Sequence, residues 1–399
     1  MKRVVITGIG TINPLGNNTE EYWNNLCSNY CGINNISKVK IENDVIKVAG
    51  EIKNLNGVNI PKRLLRKIDT FTIYSLIASN EAIYDSKLNL NSEDLYKIGV
   101  FVGNNSGGWD ISERGFTELY KLGAKYVNPW QATAWFPAAP QGYISIFNGL
   151  KGLSKSFVSD KSSGAVAISE AMRSIRHGYN DIVICGGCEA PINKLGITCM
   201  AQTGEFFSGN NLNMGTEPFN NHSNGQILSE GSSFLVMEEL NHALNRKARI
   251  YGEVSSASMT MSNDNCGIDG YKRCVDNSLR KSELSYKDID LFIPEGNSSF
   301  SSDMLESSFI KKYIDDNTKV TVPKSRFGHL YGASTPTDIV TSLLCIKHST
   351  ITPVLGNYKT MNDIKMVKNV VHKNINNSLL MSRSREGINV SIILKKFRK

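Results

Sequence analysis

The chain has 399 residues, 40% of them hydrophobic and 21% charged, with a formal net charge of +8. That length supports a large core and two or three packed units, and the composition is that of a globular chain, not a disordered or fibrous one. No apolar run approaches the ~20 residues that cross a bilayer. The positive charge is spread along the chain without a basic, aromatic-interleaved face, so membrane and nucleic-acid binding are excluded, while an acidic protein partner remains compatible.

In chain order, Met-Lys-Arg-Val-Val-Ile-Thr-Gly8 enters a strand at once and carries no small-residue cleavage site, so a cytoplasmic protein is expected. Strand-like runs follow at Arg3–Thr7, Ile98–Gly103, Ser156–Ser159, Asp181–Cys185 and Ser233–Glu238. A second set falls at Ile250–Val254, Leu291–Pro294, Lys319–Pro323, Ser378–Met381 and Val390–Leu394. Helical periodicity marks Glu20–Cys27, Asp69–Tyr84, Ser163–His177, Tyr271–Ser282 and Thr337–His348. Alternating strands and helices predict an α/β fold. The rhythm runs twice, so two related halves are expected, residues 1–247 and 248–399, packed as one unit without a low-complexity linker.

Two short motifs invite cofactor readings that their context does not support. Thr7-Gly-Ile-Gly10 lacks the third glycine and the helix that a dinucleotide fingerprint needs, because Asn13-Pro14 intervenes. Cys185-Gly-Gly-Cys188 has redox or zinc spacing, but no second ligand pair accompanies it, and it closes an apolar strand. These are read as core cysteines. No metal or cofactor is expected.

The segment Ser156-Phe-Val-Ser-Asp-Lys-Ser-Ser-Gly-Ala165 is a strand that turns sharply into a helix. A side chain at such an elbow faces the helix N-terminal amides, which favour a thiolate or an oxyanion. Here the position holds Lys161, a cation the helix dipole disfavours. The chain has the frame of a nucleophile site without the nucleophile.

Several long motifs in order carry a resemblance: the opening Val-Val-Ile-Thr-Gly-Ile-Gly with Pro14-Leu-Gly16, Gly186-Gly-Cys-Glu189, Glu217-Pro-Phe-Asn220 with Gly225 to Gly231, and Lys324-Ser-Arg-Phe-Gly-His329. From residue 2 to about 396 the chain resembles a β-ketoacyl synthase of the thiolase-like superfamily. The resemblance implies a five-layered αβαβα sandwich of two related halves that dimerises through sheet edges. Active members use a cysteine that takes the acyl chain and two histidines that assist decarboxylation and stabilise the enolate. In this chain the cysteine position is Lys161, the first histidine aligns with Glu295, the second is His329, and the family lysine is Lys324. Asp303 follows eight residues after Glu295, and the glycine-rich C-terminal loop reads Arg383-Ser-Arg-Glu-Gly387. Condensation by this chain alone is therefore not expected. Because the cysteine and first histidine face each other in the family, Lys161 is expected to pair with Glu295, with Asp160 as the competing partner.

Trp130–Ile146, Gly328–Tyr331 and Ser382–Asn389 resemble the chain-length factors, the ketosynthase β subunits of type II polyketide synthases. Most of these carry glutamine at the elbow, and lysine departs from that pattern. The resemblance implies a heterodimer or heterotetramer with a catalytic ketosynthase α subunit, an acyl carrier protein in the complex, and a polyketide growing into a tunnel across the interface. The matching tunnel segment is Gly108–Tyr120, where Trp109, Ser112 and Phe116 recur at helical spacing. Leu195, Gly196, Ile197 and Met200 are expected on the opposite wall. Alternatives are a chain-length-factor-like subunit of an aryl polyene or other reduced-polyene synthase, an active acyltransferase using Lys161, Glu295 and His329, and a non-catalytic scaffold of a lipid pathway.

Overall fold

A computed structural model describes residues 2–398 except 41–45, 56–59, 66, 208–216, 224, 263–266 and 357. Every strand run expected from the sequence enters one ten-stranded sheet. These are β1 (Val4–Ile12), β2 (Ile98–Gly103), β3 (Lys155–Phe157), β4 (Ile182–Glu189) and β5 (Gly231–Glu239), then β6 (Gly252–Met261), β7 (Leu291–Ile293), β8 (Lys319–Val320), β9 (Asn377–Arg383) and β10 (Ile388–Lys395). Their spatial order is β8-β7-β9-β10-β6-β1-β5-β4-β2-β3. Outward from the centre, each set of five runs first, fifth, fourth, second, third. Among the described residues, the two sets pair only where Val5 and Ile6 of β1 meet Glu253 and Gly252 of β6.

The helices that cover the sheets are α1 (Thr19–Cys27), α2 (Thr70–Ser86), α3 (Trp109–Leu122), α4 (Ala139–Asn148), α5 (Ser163–Arg176), α6 (Lys194–Ala201), α7 (Ile268–Lys281), α8 (Phe300–Tyr313) and α9 (Ser334–His348). Strand periodicity sorts them into layers. Val183 and Cys185 of β4 and Leu380 of β9 face a central core shared with α5 and α9. Ile182 and Ile184 face α2, while Leu379 and Met381 face α7 and α8. The result is helix, sheet, helix pair, sheet, helix, the thiolase-like α/β sandwich. Strands buried on both faces read as continuous apolar runs, which is why they were visible in the sequence.

The two motifs set aside above have structural reasons. Cβ atoms on Gly8 and Gly10 would lie 2.1 Å from the carbonyl oxygens of Ala82 and Ala78, so these glycines let α2 lie directly on β1. Cys185 belongs to the central core and Cys188 to the α2 face. Residues three apart on a strand point to opposite faces, so the CxxC spacing cannot converge on one ion here. Burial raises both thiols. No described helix is long and apolar enough to cross a membrane.

Where β5 runs into the short helix Leu240–Asn245, Glu238 is fully buried and binds Arg246, Thr7 and His242. His242 Nδ1 lies 2.9 Å from Glu238 and Nε2 lies 3.0 Å from Glu93. The hydrogen bond to Glu238, reinforced by Glu93 against the opposing effect of burial, raises His242 from 6.5 to about 8. A raised histidine stabilises the fold fully below its unfolded value and loses that contribution as pH climbs through the folded one. Wild-type stability is expected to fall by roughly 1 kcal/mol between pH 6.5 and 8 from this group, after allowance for screening. Urea melts across that window should show the slope in wild type and its loss in His242→Gln.

Candidate functional site

The elbow forms between β3 and α5. Asp160 sits in the left-handed region at φ 51°, Ser163 Oγ donates to its carbonyl at 2.6 Å, and the Ser159 N–H donates to Ser163 Oγ at 2.8 Å. A Cβ on Gly164 would fall 2.1 Å from the carbonyl of Gly332, so the start of α5 is pressed against the segment that follows His329. Lys161 is thereby placed at the sheet ends with 4% of its surface exposed.

Its partner is neither Glu295 nor Asp160. Lys161 Nζ bonds Glu205 Oε2 at 2.8 Å, reaching into the loop after α6. Glu205 also accepts from Gln226 Nε2 at 3.2 Å and faces Arg385 Nε at 3.4 Å. Gln226 passes the network on to the Tyr331 hydroxyl at 3.0 Å. Asp160 is engaged instead by the Arg385 N–H at 2.9 Å. The expected Lys161–Glu295 pair is thus corrected. A short side-chain reach to a neighbouring acid lost to a network in which Glu205 takes two cations and an amide.

Glu295 follows β7 and is fully buried. Its Oε1 lies 2.5 Å from His329 Nε2. The Tyr331 N–H donates to His329 Nδ1 at 3.1 Å, which fixes the tautomer with the ring proton on Nε2, donated to the carboxylate. Burial works against the Glu295 charge, yet the field of Lys324, the His329 bond and the more distant Lys161 hold its pKa at about 2. For His329 burial dominates and lowers the pKa, so the ring is neutral. Lys324 pairs with Asp338 of α9 at 2.5 Å, and both are buried. Burial opposes the lysine charge, but Asp338 and Glu295 outweigh it and raise the pKa. The peptide under Glu295 is pinned by Glu306, which accepts from the Glu295 and Gly296 N–H groups at 3.0 and 2.8 Å. Asp303 accepts from the Phe219 N–H at 2.6 Å.

Each ionisable side chain at and beside the elbow is therefore engaged. Lys161 is ion-paired, and an acyl group on its amine would form an amide, not a transferable thioester. Both nitrogens of His329 are engaged, leaving no donor for an enolate. Glu295 presents to the same site an ionised carboxylate, which accepts and has no proton to donate.

Beside the elbow, α3 packs against α6. Trp109 is half-buried and packs against the apolar cluster that contains Ile197, Met200, Phe206 and Tyr331. Ser112 Oγ donates back to the Gly108 carbonyl at 2.8 Å. Gly196 is buried over Pro191, and the Leu195 N–H donates to Glu113 at 3.0 Å. Phe116 lies apart from the cluster, 50% exposed and stacked on Tyr120.

Sequence reading missed Glu205, Gln226, Glu306 and Asp338. Asp338 did carry a signal, since it is the one acid of a helix that continues into the largely apolar run Ile339–Ile346 and must find a partner there. Nothing in the spacing marks Glu205, a loop acid whose role exists only through tertiary contact.

The paired sheets, the central helices and the elbow define a scaffold of the thiolase type, with buried charge pairs at the elbow and beside it. Family models described as the β-ketoacyl synthase N-terminal and C-terminal domains match residues 1–243 and 248–357. The chain belongs to the β-ketoacyl synthase family. A 3-oxoacyl-acyl-carrier-protein synthase 2 of Staphylococcus aureus (strain COL) is 31% identical over 365 residues, spanning 89% of this chain and 88% of the relative. One from Synechocystis is 29% identical with the same coverage. Among solved structures, the ishigamide ketosynthase/chain length factor matches with TM-score 0.91 at 23% identity, covering 100% of both chains. A type II polyketide ketosynthase in complex with its acyl carrier protein and bound to a hexaketide matches with TM-score 0.89 at 21% identity, also covering 100% of both. At these identities the structures establish the shared fold.

The pair at the elbow makes an asymmetric prediction. Glu205→Gln strands a buried ammonium and should destabilise by an amount near the lower end of about 3–5 kcal/mol, since Glu205 is partly solvated. Lys161→Met leaves Glu205 with Arg385 and Gln226 and should cost less. Chemical denaturation of both variants and of the double variant measures the order and the coupling.

Proposed function

We propose that this chain is the non-condensing, chain-length-determining subunit of a two-chain ketosynthase. It pairs with a catalytic α subunit that carries the cysteine, and it shapes the tunnel into which a carrier-protein-bound poly-β-ketone grows. The observation that carries this reading is the buried Lys161–Glu205 pair at the nucleophile position, with His329 tied to Glu295 beside it. The curated relatives named above are condensing synthases, and this chain departs from active members at the residues that do the chemistry while keeping the frame that holds them.

Two further features support a partner subunit. The edge strand β3 is flanked by Leu153 and Val158, which are 41% and 55% exposed, and α4 leaves Ile146 and Phe147 uncovered. An unpaired strand edge beside exposed apolar side chains is a ready site for sheet continuation into a second chain. The α3–α6 contact next to the elbow supplies an apolar wall, with Trp109 as its bulkiest member. A tryptophan there sets a physical stop for a growing chain.

The purified chain should not condense malonyl and acyl units, whereas co-expression with an intact α subunit should yield polyketide detectable by mass analysis. Elongation by the chain alone would overturn the proposal. Lys161→Cys should not restore condensation in the isolated chain, because Glu295 and His329 still lack the donors the enolate needs; a single-turnover assay with acyl carrier protein reads this. In the complex, Trp109→Ala should lengthen part of the product by one or more extender units while leaving assembly intact. An unchanged distribution from a well-assembled variant would contradict the gating role.

A further inference from the structure

We infer that the Lys161–Glu205 pair is a strap that fixes the tunnel wall, so that the former nucleophile position now acts as a positioning site for chain length. The inference rests on reading α6 and Trp109 as that wall. A lysine needing only neutralisation has Asp160 beside it in sequence and Glu295 close enough for the charges to influence each other. It bonds instead to a loop 44 residues away. That loop begins at the end of α6, whose Ile197 and Met200 pack with Trp109. Phe206, the residue after Glu205, stacks on Tyr331 with ring centroids 6.2 Å apart and belongs to the same apolar cluster.

The start of α6 is fixed by its own cap, with the Gly196 N–H donating to Asn193 Oδ1 at 2.7 Å. The segment after its other end is held by tertiary bonds. The Gln226 N–H donates to the Glu205 carbonyl at 2.9 Å, the Phe207 N–H donates to the Gln226 carbonyl at 3.0 Å, and the Glu205 carboxylate collects Lys161, Arg385 and the Gln226 amide. The backbone bonds set direction. The carboxylate fastens the loop to the elbow on one side and to the Arg383–Gly387 turn on the other. Three elements that carry the chemistry in active members, or lie beside it, are here joined by charge. Loss of the Lys161 cation unfastens Glu205 from the elbow and leaves only Arg385 and Gln226 to hold the carboxylate that sets the position of Phe206, and with it the depth of the wall opposite Trp109.

The test uses the co-expressed complex with Lys161→Met, Lys161→Arg and the exchanged pair Lys161→Glu with Glu205→Lys. Hydrogen exchange at residues 201–207 and the product-length distribution are measured together. The methionine variant should exchange at least about tenfold faster in that segment and shift the distribution by an extender unit or more. Arginine should restore both, and the exchanged pair should restore them in part. Exchange equal to wild type in the methionine variant would overturn the strap. Faster exchange with an unchanged distribution would keep the strap and instead contradict the tunnel-wall reading on which the proposed function stands. If the methionine variant does not fold, Arg385→Ala removes the second, half-exposed cation from Glu205 and should give a smaller change of the same sign; no change there would overturn the inference.

Discussion

Charge buried where the ends of two sheets meet must be neutralised inside the protein, and that constraint organises the centre of this molecule. Lys161, Lys324 and Glu295 are each almost wholly removed from solvent. An isolated ion in such a place is prohibitively costly, so each is matched: Lys161 with Glu205, Lys324 with Asp338, and Glu295 with the His329 N–H inside the field of Lys324. Two of these links cross between segments distant in sequence. The first ties the elbow of α5 to the loop after α6, the last ties the turn after β7 to the segment before α9, and Gln226, bonded to both Glu205 and Tyr331, connects the two. The scaffold tolerates these charges because each pair also satisfies the burial of its members.

Much of this was legible beforehand because the signals were local or periodic. Apolar runs disclosed the buried sheet strands, since β-strands covered on both faces need them, while the partly exposed edge strand β3 was read as the entry to the elbow. The elbow declared itself through Ser162, Ser163 and Gly164 around a single lysine. The small two-stranded pieces Ile33–Asn35 with Val48–Gly50 and Thr350–Ile351 with Val371–His372 were not read, being too short for a period. The partner of Lys161 was misread for a different reason. Family geometry placed Glu295 opposite the elbow, but that carboxylate is committed to His329, and the compensating acid lies in a loop with no pattern of its own. Trp109 joins the apolar cluster of Ile197 and Met200, whereas Phe116, on the same helical face by spacing, is half-exposed on the far turn of α3. Periodicity assigns a face to a residue, not the depth of what covers it.

The functional reading follows from subtraction and from what remains. Subtracting nucleophile, electrophilic donor and free imidazole leaves a rigid apolar wall, an open sheet edge and exposed aliphatic side chains beside it. A second chain that supplies a cysteine would complete both the sheet and the tunnel. In the proposed assembly, a wall on one polypeptide can change without disturbing reactive residues carried on the other.

The central claim is that the elbow of this chain never holds an acyl group. Intact-mass analysis after incubating the assembled complex with acyl-loaded carrier protein tests it directly. The account predicts an acyl increment on the partner's chain and none on this one. An increment on this chain that maps to Lys161 would contradict it.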